Sequence, residues 1–297
     1  MPADAWDPES HLRHPRLTAV RLGTPPARDR NRFPFNIPAL QGLREIGLPG
    51  PVTFFAGENG SGKSTLLEAL AIATDLPAVG RADASTDDSL VSQRRLAGLL
   101  KTVWRRRAHR GFFLRAEDFF GFVHRLQRDK AEMEARIEQV EREYAGRSEL
   151  ARRLAMGPAA ASLGAMESTY GRDLDANSHG ESFLRLFRGR FVPEGLYLLD
   201  EPEAALSVQS QLGFIAMMRE MVAEGGQFII ATHSPVLMAV PGATIYNFDE
   251  SPLREVAYDA LEGVQLVKAF LQAPERYMRH LWGDAAGDSG DPDGSMG

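Results

Sequence analysis

The sequence predicts an α/β fold with a mainly parallel central sheet, an antiparallel sheet near the N-terminus and an inserted helical subdomain. Three observations point there. PVTFFAG (51–57), GLYLLD (195–200) and GQFIIAT (226–232) are continuous apolar runs, the pattern of parallel strands buried on both faces. The first runs directly into a glycine-rich segment, GENGSGKST (57–65), and then into STLLEALAIAT (64–74), which has helical periodicity and strong helix formers. LTAVRL (17–22) and RFPFNI (32–37) read as short strands joined through the proline-bearing turn TPPARD, which makes the N-terminal sheet edge.

The remaining elements follow in chain order. Residues 75–92 are rich in Asp, Ser, Ala and Gly and read as a loop; an arginine-heavy helix comes next, then GFFLRA (111–116) as a strand. From Val123 to Tyr144 the positions Val123, Leu126, Met133, Ile137, Val140 and Tyr144 form a heptad-like apolar stripe interrupted by Lys130. Such a stripe is either a partner helix or the packed face of a helical subdomain. Residues 1–10 and 283–297 are polar with no apolar anchor and are expected to be disordered. Residues 11–282 are expected to form a single domain with a helical insertion at about 117–185.

Composition narrows the class. Of 297 residues, 43% are apolar and 25% charged, so a packed core is expected. No apolar run reaches the roughly 20 residues that span a bilayer, and the first residues lack the apolar centre of a signal peptide. The absence of cysteine excludes disulfides and thiolate metal sites, which fits a cytoplasmic location. Any metal must be held by oxygen or histidine. The formal charge of −6 argues against a protein coated by nucleic acid, although Arg94, Arg95, Lys101, Arg105, Arg106, Arg107, Arg110 and Arg115 cluster in sequence. They read either as a nucleic-acid face or as a solvated helix with carboxylate partners.

The chemistry is concentrated in three segments. In GENGSGKST, Gly57, Gly60 and Gly62 let the backbone turn tightly, so that N–H groups point at phosphate oxygens from a helix N-terminus. Lys63 supplies a cation for the β- and γ-phosphates, and the Ser64 hydroxyl is a magnesium ligand. Gly57, Glu58, Asn59, Gly60, Ser61, Gly62, Lys63, Ser64 and Thr65 are therefore read together as a cradle for ATP and Mg²⁺. In LYLLDEPEAAL (196–206) a buried strand ends in Asp200, suited to hold the metal, and Glu201, suited to accept a proton from attacking water. ATHSP (231–235) ends another apolar strand and brings His233 within reach of the γ-phosphate, where imidazole can hydrogen-bond it.

These segments together resemble the ABC-class P-loop ATPases, with Walker A at 57–64, Walker B at 196–201 and an H-loop histidine at 233. NSHGES (177–182) is similar to the signature segment of that class, with His179 and Glu181 departing from the usual Ser-Gly-Gly-Gln; a Ser-x-x-Glu/Ser helix cap is the other reading. The resemblance implies that Ser178 and the Gly180 N–H meet the γ-phosphate held by a second copy, so that a homodimer sandwiches two ATP molecules. It also implies a D-loop in EAALS (203–207), with Ser207 in place of the usual Asp, and a Q-loop in FFLRAEDFF (112–120), with Glu117 in place of glutamine. Phe33 or Phe35 could stack on adenine, although core packing suits either. From about 17 to 280 the chain is similar to small bacterial stand-alone AAA/ABC-type ATPases. What hydrolysis drives stays open at this point: a cytoplasmic process on nucleic acid or a partner protein, transport as the nucleotide-binding subunit of a membrane ABC transporter, ATP-gated binding without turnover, or phosphotransfer.

Overall fold

The computed structural model describes residues 15–79, 90–108, 110–170 and 179–282. The expectations for 1–10, for 283–297, for most of the 75–92 loop and for Ser178 fall outside those residues.

The central sheet has six strands in the order β5-β6-β7-β3-β8-β9. They are β3 (Val52–Ala56), β5 (Gly111–Arg115), β6 (Leu196–Asp200), β7 (Gln227–Ala231), β8 (Thr244–Asn247) and β9 (Arg254–Glu255). All neighbours are parallel except β8 and β9. β3, β6 and β7 are buried at every position, which is why each reads as an unbroken apolar run rather than an alternating one. Register places Arg115 beside Asp200 and Asp200 beside Ala231, so the C-terminal strand ends form one row. In a parallel sheet that row is where ligands bind.

A second, antiparallel sheet has the order β2-β1-β4, formed by β1 (Leu17–Leu22), β2 (Glu45–Gly47) and β4 (Leu100–Trp104). Two expectations are corrected here. RFPFNI is not a strand: residues 33–36 form turns, and β1 pairs instead with Glu45–Gly47 and Leu100–Trp104. The alternating aromatics suggested a strand, yet Pro34 and Pro38 lack the N–H groups a ladder needs. The arginine-heavy segment is helical only over α2 (Val91–Ala97) and then becomes β4. α1 (Lys63–Thr74) lies under both sheets, with Leu66, Leu67, Leu70, Val20, Leu96 and Leu100 sharing one core. Gln227 joins the sheets at their other end. Its buried side-chain amide accepts from the N–H groups of Arg16 and Leu17 and donates to Leu17 O.

The helical insertion comprises α3 (Ala116–Glu143), α4 (Glu149–Tyr170) and α5 (His179–Arg190). Within the stripe on α3, Leu126 and Val140 are buried and the other apolar members half-buried, so the stripe is the packed face of the α3–α4 pair. α5 is described from His179 onward. Phe183 and Phe187, fully buried, tie it to Phe119 of α3, Phe112 of β5 and Phe214 of α6 (Val208–Ala223), with centroids 4.6 to 6.4 Å apart. Contacts divide the described residues into two compact units, one ending at Val256 and one beginning at Ala257. In the second unit the helices Glu262–Gln272 and Pro274–Trp282 meet through an edge-to-face contact of Phe270 and Tyr277.

Candidate active site

The Gly57–Gly62 loop connects the end of β3 to the start of α1, and Gly57, Gly60 and Gly62 all have positive φ (141°, 84° and 105°). At Gly62 space matters as much as the dihedral: a Cβ there would lie 2.5 Å from Ile37 Cγ2. Lys63 is almost wholly buried, and its Nζ donates to the carbonyls of Gly57 (2.6 Å) and Glu58 (2.8 Å), which curls the loop around the ammonium. Glu58, Asn59 and Gly60 form the exposed tip, while Ser61, Ser64 and Thr65 are half-buried. The Asp249 carboxylate accepts the Glu58 N–H at 2.8 Å and so fixes the tip from the end of β8. Sequence reading gave Asp249 no role, since 191 residues separate the two partners.

Ser64 Oγ donates to Asp200 Oδ1 at 2.9 Å. Burial pushes the Asp200 carboxyl up to about 7; the Ser64 hydrogen bond opposes this, and the Glu68 and Glu201 charges add to it. An all-oxygen pair whose carboxylate is costly to ionise in its pocket fits a hard divalent cation, so Ser64 and Asp200 are the residues that would hold Mg²⁺. When bound, the ion would neutralise charge on the β- and γ-phosphate oxygens. Beneath Asp200 lies an ion pair absent from the sequence expectations: the Arg115 guanidinium contacts the Glu68 carboxylate, both nine-tenths buried or more. Burial raises the Glu68 pKa, while Arg115 and a hydrogen bond from Gln93 oppose that rise. Arg115 thus places a cation at the end of β5, one strand from Asp200.

Glu201 adopts a left-handed backbone (φ 49°, ψ 49°), and its N–H donates to Ala231 O at 2.8 Å. That conformation turns the chain out of β6 and leaves the side chain 35% exposed at the sheet edge. His233 Nδ1 lies 3.9 Å from Glu201 Oε1 and 3.6 Å from Glu203 Oε1. The structure therefore brings Lys63, Ser64, Asp200, Glu201 and His233 to the C-terminal ends of three adjacent strands.

Other expectations resolve differently. Gly180 lies in the first turn of α5. Glu117 lies in the first turn of α3, which starts directly after β5, and it pairs with Arg115 at 3.6 Å. Ser207 caps α6 by accepting the Ser210 N–H. Phe35 packs on the core beneath Arg95 and lines a cavity of about 500 Å³ with Leu22, Leu40 and Leu99, whereas Phe33 is 49% exposed. Three of the arginines have carboxylate partners: Arg95 pairs with Asp29, Arg106 with Glu194, and Arg115 is buried with Glu68.

Two family models match the chain, one described as an AAA domain over residues 35–96 and one described as "AAA domain, putative AbiEii toxin, Type IV TA system" over residues 124–239. Among curated proteins, the macrolide export ATP-binding/permease protein MacB of Chromobacterium violaceum is 28% identical over 78% of this chain and 35% of its own length. The cytochrome c biogenesis ATP-binding export protein CcmA of Rhodopseudomonas palustris is 42% identical over 18% of this chain and 26% of its own length. The chain spans about a third of the length of the MacB relatives it matches. A solved Smc head domain from Pyrococcus furiosus, bound to the C-terminal domain of ScpA, overlaps 89% of this chain and 100% of its own at 13% identity, with a TM-score of 0.41. At that level the overlap adds nothing to the strand order. One family model covers the loop Gly57–Thr65 and the other covers Asp200, Glu201 and His233, and both halves of the site are similar to those of AAA/ABC-type P-loop ATPases.

Proposed function

We infer that the chain hydrolyses ATP to ADP and phosphate with Mg²⁺, as an ATP-sandwiched homodimer, to drive a cytoplasmic process on nucleic acid or a partner protein. The observation that carries this is the arrangement of Lys63, the Ser64–Asp200 pair, Glu201 and His233 at one row of strand ends. Lys63 and the loop amides hold the phosphates, and Ser64 and Asp200 hold the metal. Glu201 takes the proton of the attacking water, and His233 hydrogen-bonds the γ-phosphate. Ser178 and Gly180 of a second copy cap the nucleotide. An exposed apolar pair on the first turns of α6, Val208 and Leu212, supports a face for that copy, since both follow directly on the 202–205 turn.

A second reading, the ATP-binding subunit of an exporter, is favoured by the printed role of the MacB relatives. No described helix is long and apolar enough to cross a membrane, so in this reading the channel lies outside the described residues. Turnover of the purified protein, measured alone, with DNA, with RNA and with solubilised membranes, separates the two. Stimulation by nucleic acid supports the first reading, and co-purification of a membrane subunit supports the second. A wild-type protein as inactive as Lys63→Ala under all conditions contradicts both.

A further inference from the structure

Glu203 lies two residues beyond Glu201, on the 3₁₀ turn Pro202–Ala205. Its side chain is 7% exposed, and a single carboxylate oxygen, Oε1, accepts two bonds: from the Thr232 hydroxyl at 2.6 Å and from the His233 backbone N–H at 2.9 Å. The chain of bonds continues. The Ser234 N–H donates to Thr232 Oγ1 at 3.0 Å, the Ser234 hydroxyl donates to Gln211 Oε1 at 2.6 Å, and Gln211 Nε2 donates to Leu206 O at 3.3 Å. A closed circuit therefore links the turn after β6, the loop after β7 and α6. The His233 ring makes none of these hydrogen bonds. It is 54% exposed and stands 3.6 Å and 3.9 Å from the nearest carboxylate oxygens of Glu203 and Glu201. Glu203 Oε2 is buried with no partner among the described residues, a costly state for a carboxylate oxygen and one that packing alone does not require.

We propose that Glu203 is a positioning residue for hydrolysis: it fixes the main chain of His233 and holds it in register with Glu201 through one rigid turn. The main chain at 232–234 is clamped while the imidazole can rotate, so a shift of Glu201 on nucleotide binding carries the pivot of His233 with it. This rests on the assignment of Glu201 and His233 to ATP hydrolysis. The task needs an acceptor rather than a charge, because a glutamine amide oxygen can accept the same two bonds and alanine can accept neither.

A double-mutant cycle tests this on the full chain, with kcat and KM for ATP read separately. Glu203→Gln is expected to keep kcat within about threefold of the wild type, whereas Glu203→Ala lowers it about tenfold or more with KM changed less than about twofold, since no bond of Glu203 reaches Gly57–Thr65. In a His233→Ala background, Glu203→Ala should cost less than about twofold further, because both changes remove the same contribution. Equal losses in both backgrounds, a rise in KM in place of a fall in kcat, or a Glu203→Gln as damaged as Glu203→Ala would each overturn the proposal. Should Glu203→Ala not fold, Thr232→Val removes one of the two donors and must show the same non-additivity with His233→Ala. A His233→Ala protein as fast as the wild type overturns the assignment of His233 itself, and the cycle reports that result separately.

Discussion

Asp200 illustrates how one residue serves two requirements that conflict. Ending a strand buried on both faces puts its carboxylate where a cation can be gripped, and the same burial lifts its pKa from 3.8 to about 7. Between about pH 4 and 7 the folded chain keeps a proton that the unfolded chain has released, so stability falls as pH rises through that window. Glu68, shifted in the same direction, adds to the trend. The nucleotide-free protein should therefore melt at lower temperature at pH 8 than at pH 6, and Asp200→Asn should shrink that difference in a thermal melt. A difference of unchanged size in the variant would contradict the reading of Asp200. Beneath it, Arg115→Met leaves the Glu68 carboxylate buried without its cation and should cost about 3–5 kcal/mol in denaturant unfolding. Adding Glu68→Gln to Arg115→Met should recover a large part of that loss, because the uncompensated charge is then gone.

At the scale of elements, α5 is held to its neighbours by aromatic packing. Phe187 touches Phe112, Phe183, Phe191 and Phe214 and is fully buried, so Phe187→Ala should cost about 3–5 kcal/mol by chemical denaturation. A cost below about 1 kcal/mol would mean that α5 is anchored elsewhere. Legibility in the sequence also divides at this scale. β3, β6, β7 and α1 were readable because their signals are local: unbroken apolar runs, a glycine loop, a run of helix formers. RFPFNI misled because its aromatics alternate as in a strand while its prolines forbid the ladder. Glu203, Asp249, Gln227 and the Glu68–Arg115 pair were invisible for a different reason. Each works through a partner tens or hundreds of residues away, and only the packing of elements distant in sequence brings them together. A third carboxylate just past the Asp-Glu strand end was the one local hint of Glu203.

At the scale of the whole molecule, the fold places every candidate catalytic group from Lys63 to His233 within one compact unit, at a single edge of one sheet. Of the signature-like segment, His179–Ser182 lie in α5 on the inserted subdomain, and the nucleotide proposed for that segment belongs to another copy of the chain. Hydrolysis and association are thus one claim, because in the proposed function Glu201 works on an ATP that is closed in only when two copies meet. The most direct test is Glu201→Gln, assayed with ATP and Mg²⁺ for turnover and, by light scattering after size exclusion, for mass. The account predicts that turnover is lost, that ATP is retained, and that the variant runs at twice the 32.7 kDa chain mass with nucleotide and at the chain mass without it. A Glu201→Gln protein that hydrolyses ATP at the wild-type rate, or one that stays monomeric with ATP bound, would contradict it.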